Sequence, residues 1–124
     1  HLAFGPLAFQ AALLLRDHGV LELGRRRGED GFLAEEACEA SKLSRYAVRV
    51  LLDAGASSGL FRVDGERYRL TAVGLCVLKD RMTRANMDFV RDVCYLGAHR
   101  LGDSLRDGRP AGLEVFGQWQ TIYE

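Results

Sequence analysis

The feature that most constrains this chain is a change of period at Gly59. Upstream of it apolar residues recur at helical spacing; downstream they alternate. Ala34, Ala37 and Cys38 fall at i, i+3 and i+4, one apolar stripe of a short helix with Glu35, Glu36 and Glu39 turned away. Ser41-Lys42-Leu43-Ser44 breaks that pattern, and the Ser44 hydroxyl is placed to accept from a first-turn N–H of the next helix. That second helix carries Val48, Leu51 and Leu52 on one face and Arg45, Arg49 and Asp53 outside it. Two helices joined by so short a turn form a helix-turn-helix. Beyond Gly59, Leu60–Val63 and Glu66–Leu70 flank Asp64-Gly65, a two-residue hairpin turn, and this register sets Phe61 opposite Tyr68 on the inner side. A helix-turn-helix followed by such a hairpin is a winged helix, so the expected fold class is mainly α with one β-hairpin.

Global composition narrows the function classes. At 48% hydrophobic and 27% charged, the 124 residues have an ordinary globular make-up, and 17 basic residues balance 17 acidic ones. No net charge draws the chain to a polyanion or an anionic membrane. The longest early apolar run, Ala11–Leu15, is too short to span a bilayer and lacks a signal peptide's basic lead. Three cysteines, Cys38, Cys76 and Cys94, form no close pair; buried free thiols in a reducing, cytoplasmic setting are expected. The chain opens on His1 and ends on Glu124 inside a helix-compatible pattern, as a piece of a longer protein would.

Flanking the central stretch are further helices. Phe4, Leu7, Ala8, Ala11, Leu14 and Leu15 make a helical stripe with Pro6 in its first turn, and His18-Gly19-Val20 reads as its end. Gly24–Gly31 (GRRRGEDG) reads as a solvated polar loop. Thr71 is placed to cap a helix holding Val73, Val77 and Leu78. From about Arg84 to about Asp107 a longer pattern has two apolar faces. Met87, Val90, Cys94, Gly97, Leu101 and Leu105 line one; Phe89, Val93 and Leu96 line the other. Gly97 and Gly102 interrupt it, which suggests two helices meeting at a kink, and Gly108-Arg109-Pro110 ends it. The patterns separate a winged-helix domain at 1–83 from a helical segment at 84–124.

Catalytic chemistry is absent from the pattern. His1, His18 and His99 have no Cys, Asp or Glu at metal-ligand spacing, so no metal site is nominated. There is no G-x-S-x-G elbow, no G-x-G-x-x-G and no G-x-x-x-x-G-K, hence no catalytic or cofactor-binding residue is nominated. Glu35-Glu36 are neighbours on a helix and point about 100° apart, a solvated face rather than an acid/base dyad. A DNA-binding regulator is the alternative that a winged helix raises, with Arg45, Tyr46 and Arg49 on the recognition helix and Arg62, Arg67 and Arg69 on the wing. Yet Phe32–Thr71 holds six basic residues, counting Lys42, against six acidic ones. Affinity for DNA comes largely from phosphate neutralisation, so this balance disfavours nucleic acid and favours a protein-interaction scaffold.

The segments EEACEASKLSRYAVRVLLDAG, SSGLFRVDGERYRLTAVG, MTRANMDFVRDVCYLG, DGRPAGLEVFG and WQTIYE resemble the N-terminal dimerisation domain of class I S-adenosylmethionine-dependent methyltransferases of the O-methyltransferase type. The likeness runs over essentially the whole chain and is more specific in its later segments. It implies a homodimer formed by this domain and its additional helices. It also implies a methyl-donor domain following Glu124, so that S-adenosylmethionine belongs to the parent protein and this chain has no catalysis of its own. In such enzymes the bridging helices wall the pocket of a small-molecule acceptor, which makes Met87, Phe89, Tyr95, Phe116 and Trp119 the expected wall. Dimer contacts are expected through the first helix, apolar nearly all round, and the Arg84–Asp107 segment.

Overall fold

A computed structural model describes residues 2–123 and divides the chain into two compact units, His1–Thr83 and Arg84–Glu124. Among the described residues it is mainly α and winged-helix-like, with seven α-helices and a single two-stranded antiparallel hairpin.

In the first unit, α1 (Gly5–Asp17) carries Pro6 in its first turn and ends where Gly19 takes a φ of 79°. Val20 turns back into the core at once and opens α2 (Val20–Arg27), which a 3-10 turn at Gly28–Asp30 follows. The solvated loop expected over Gly24–Gly31 is therefore corrected: its first half is helix. Burial of Val20, Leu21 and Leu23 holds that helix in place. Its three terminal arginines sit where the helix dipole favours cations, and Arg25 and Arg27 pair with Glu22 and Glu36.

α3 (Ala34–Ser41) starts without a side-chain acceptor, since Leu33 occupies the cap position. Instead the Glu36 carboxylate accepts the Leu33 N–H at 2.8 Å, so Glu36 secures the helix start rather than merely facing solvent. Lys42, in the left-handed region at φ 60°, stops it. The Ser44 hydroxyl then accepts from the Ala47 N–H at 3.2 Å and starts α4 (Arg45–Ser57), whose Val48, Leu51 and Leu52 are buried as the periodicity requires.

The hairpin pairs β1 (Phe61–Asp64) with β2 (Arg67–Leu70), but one residue later in the turn than expected. Gly65-Glu66 is the tip, and the partners are Phe61↔Leu70 and Val63↔Tyr68. The reason is conformational: the only positive φ at the tip is at Gly65, which makes it the first turn residue of a II′-like hairpin. Moving the turn by one residue moves each partner by two, so Phe61 and Tyr68 still share a face. Their rings meet diagonally at 6.2 Å, edge to face. Phe32 completes the wing. It exchanges two backbone hydrogen bonds with Tyr68, at 3.0 and 2.9 Å, and packs between the rings of Phe61 (5.5 Å) and Tyr68 (5.7 Å) with no exposed surface. α5 (Ala72–Lys79) follows, capped by the Thr71 hydroxyl, which accepts from the Gly74 N–H at 3.1 Å; Val77 and Leu78 are buried, whereas Val73 is exposed.

α6 (Arg81–Phe89) begins at Asp80, whose carboxylate accepts from the Thr83 N–H and hydroxyl, each at 2.7 Å. In the second unit the continuous pattern breaks twice, at a π-turn over Val90–Cys94 and at a 3-10 turn over Ala98–Arg100. The expected break at Gly97 lies between them, but Gly102 sits inside α7 (Leu101–Asp107) and interrupts nothing. Gly108, at φ 64°, ends α7, and a 3-10 turn covers Ala111–Val115. The cysteines need correction too: Cys38 and Cys94 are half-buried and Cys76 is exposed.

Candidate functional site

The most apolar concavity of the first unit lies between α1 and α4. Phe4, Leu7, Ala8, Ala11, Leu14 and Val50 line a groove of about 650 Å³, with Gln10, Ser57 and Ser58 at its polar edge. α1 folds as an all-round apolar helix, buries Ala12, Leu13 and Leu15 against its own unit, and is left with a second apolar face. On that face Phe4 is 69% exposed and Leu7 64%, and Val50 of α4 extends it at 49%. Side chains this large, gathered in one patch, are what a soluble monomer seldom leaves in water. Val50 is the residue that sequence reasoning passed over. Its signal was present: two positions from Val48, it lies about 200° round the helix from the core stripe, where a solvent-facing helix has a polar side chain.

Of the five residues expected to wall an acceptor pocket, the second unit brings two together. Phe116 and Trp119 stack with ring centroids 5.7 Å apart and planes 12° apart. Trp119 borders a polar hollow with Arg109, Glu114 and Gln118. Phe89, 48% exposed, borders a separate apolar groove, and Met87 and Tyr95 are half-buried. Among the described residues, Phe89 and Trp119 line different hollows of that unit.

Charge in the second unit is organised by one network. Arg100 donates to Asp103 at 2.6 Å and to Glu114 at 2.9 Å, Arg106 donates to Asp103 at 2.6 Å, and Arg109 closes on Glu114. Hydrogen bonds, foremost from Arg100 to Asp103 and from Arg109 to Glu114, hold both carboxyls below their ordinary range and raise the two guanidiniums. In the first unit Glu22 is lowered chiefly by the Arg25 hydrogen bond. None of these groups lines the α1–α4 groove. Among the described residues no cluster of His, Cys, Asp and Glu could hold a metal ion, and no helix is long and apolar enough to cross a membrane.

Three of the six cations of the helix-turn-helix and wing are held within the fold. Arg45 pairs with Glu35 at 3.0 Å, Arg69 with Asp64 at 3.2 Å, and Arg67 donates to the Asp30 carbonyl at 3.4 Å. A polyanion would have to displace these partners. A winged-helix-like unit with an uncovered apolar groove has the make-up of a protein-interaction module.

Comparison with known proteins agrees. Residues 1–68 match the Dimerisation2-like domain, and the chain belongs to that family. Among solved structures, the S-adenosylmethionine-dependent methyltransferase SibL in its apo form is similar, with a TM-score of 0.80 and 29% sequence identity. The likeness covers 93% of this chain and 34% of that one, so the chain spans about a third of that enzyme's length. No curated protein sequence matches the chain.

Proposed function

We propose that this chain is the homodimerising module of an S-adenosylmethionine-dependent methyltransferase, with the methyl donor bound by a part of the parent protein outside these residues. The observation that carries the reading is the uncovered α1–α4 groove, which lies in the segment that matches a dimerisation family. Two copies related by a two-fold axis would each bury the face the other needs covered. At roughly 25 cal/mol per Å² of apolar surface, an interface of about 2,000 Å² offsets the entropy lost on association. Residues 84–123 serve in this reading as the bridge on the acceptor side, with Met87, Phe89, Tyr95, Phe116 and Trp119 contributing to the wall of a small-molecule pocket in the assembled enzyme. The setting is cytoplasmic, which suits three unpaired cysteines.

Light scattering on the purified chain tests it. A dimer is expected at micromolar concentration, converted to monomer by Leu7→Glu or Val50→Glu without loss of helical content, since both side chains are already solvent-accessible. A wild-type chain that is monomeric at that concentration rejects the proposal.

A further inference from the structure

One residue of α1 is out of keeping with its neighbours. Between Gly5 and Leu15 the only polar side chain is Gln10, and helical spacing sets it three residues after Leu7 and four before Leu14, inside the apolar stripe. Gln10 lines the α1–α4 groove together with both leucines. It is half-buried already, and its carboxamide makes no hydrogen bond among the described residues. Whatever covers Leu7 and Leu14 therefore covers Gln10 as well. A carboxamide taken out of water without partners costs free energy, so the covering surface has to bring hydrogen-bonding groups of its own.

The groove itself shows where such groups come from. Its other polar side chains are Ser57 and Ser58, exposed at the end of α4, and neither hydroxyl is hydrogen-bonded among the described residues. The carbonyls beside them are taken: those of Ala54, Gly55 and Ala56 accept from the N–H groups of Ser58, Leu60 and Gly59. In a two-fold interface each patch meets a copy of itself, so the same three side chains are the ones available to Gln10. We propose that Gln10 is the register-setting residue of the homodimer, its carboxamide hydrogen-bonded to the polar edge of the second copy. Apolar contacts have no direction, and alone they would tolerate sliding or rotation of one α1–α4 face on the other. A polar residue within an apolar seam penalises every packing that leaves it unpaired, at some cost in affinity. It equally penalises a foreign apolar helix that brings no polar edge. The inference rests on the homodimer reading and adds to it which packing the two copies choose.

Two measurements on the purified chain test it: the dimer dissociation constant by light scattering, and the packing by pulsed electron spin resonance. The spin label is placed on exposed Cys76, which does not line the groove, in a parent chain carrying Cys38→Ala and Cys94→Ala. With Gln10 present, the two labels of a dimer are expected at one narrow distance. Gln10→Leu should remain dimeric, within about threefold of the parent dissociation constant or tighter, while its distance distribution splits or broadens at least about twofold. Gln10→Ala removes the carboxamide and fills nothing, so the dissociation constant should rise about fivefold or more, the worth of two symmetry-related hydrogen bonds. Circular dichroism checks that both variants keep their helix content. A parent dimer without a single distance, a Gln10→Leu dimer that keeps the parent's distance, a monomeric Gln10→Leu, or an unchanged dissociation constant in Gln10→Ala would each overturn the register role and leave the homodimer reading standing. A parent chain that is monomeric at micromolar concentration overturns both together.

Discussion

Phe32 is the largest fully buried side chain among the described residues. It has no exposed surface, bridges to Tyr68 through two backbone hydrogen bonds, stacks on the Tyr68 ring and meets the Phe61 ring edge to face. Truncation leaves a cavity that a bridged backbone cannot collapse to fill, so Phe32→Ala is expected to cost about 3–5 kcal/mol in denaturant unfolding. A midpoint within error of wild type would show that the wing is held from elsewhere. Gly65 matters through its backbone alone. An L-residue at its φ of 60° pays the left-handed penalty, so Gly65→Ala should cost about 1–2 kcal/mol. Asp64→Ala, which removes only a surface ion pair with Arg69, should cost less than about 1 kcal/mol. The reverse order would place the turn at Asp64-Gly65 after all.

At the scale of elements, the second unit depends on charge more than the first. Its described residues bury only Ala111 among apolar side chains, while Arg100, Asp103, Arg109 and Glu114 fasten α7 to the Ala111–Val115 turn. Asp103 and Glu114 have folded-state pKa values below their unfolded ones. Their contribution to stability is therefore complete above the ordinary carboxylate range of about 4 and is lost as pH falls through the lowered values. Asp80, in the first unit, is lowered too, chiefly by the Thr83 backbone N–H, but that unit also has a buried apolar core to hold it. Acid should thus loosen residues 84–123 before the first unit, and salt should shift the transition because the network is exposed. Trp119, the one tryptophan and a stacking partner of Phe116, reports the change by fluorescence. Emission that stays flat while far-ultraviolet circular dichroism reports unfolding would contradict this order.

For the whole molecule the competing partners are a second copy, a nucleic acid and a methyl donor. Because three of the six cations of the helix-turn-helix and wing are engaged within the fold, double-stranded DNA should bind weakly and without sequence preference. A gel shift showing tight binding at physiological salt, lost on Arg45→Ala and Arg49→Ala, would return the case to a DNA-binding regulator. S-adenosylmethionine should give no micromolar binding isotherm with this chain, which has no glycine-rich strand-to-helix turn to receive it. Micromolar affinity in calorimetry would mean that the donor site does not lie elsewhere in the parent protein.

The devices readable in advance were local ones. Ser44 and Thr71 bind N–H groups three residues away, and Gly19 and Gly108 end helices through their own φ angles, so each is specified within one turn of chain. The burial of Val48, Leu51 and Leu52 and the alternation of the hairpin likewise follow from periods that the residues themselves carry. Tertiary structure decided whatever depends on residues far apart in the chain. Val20, Leu21 and Leu23 become a helix because the core receives them, and GRRR is carried into it. Phe32 forms a β-bridge because Tyr68, 36 positions on, offers its backbone. The groove on α1 exists because α4 places Val50 beside Leu7, and the groove of the second unit exists because Gly97 and Gly112 can touch. Apolar character sets how much surface a helix must hide, but which face stays uncovered depends on where its neighbours pack.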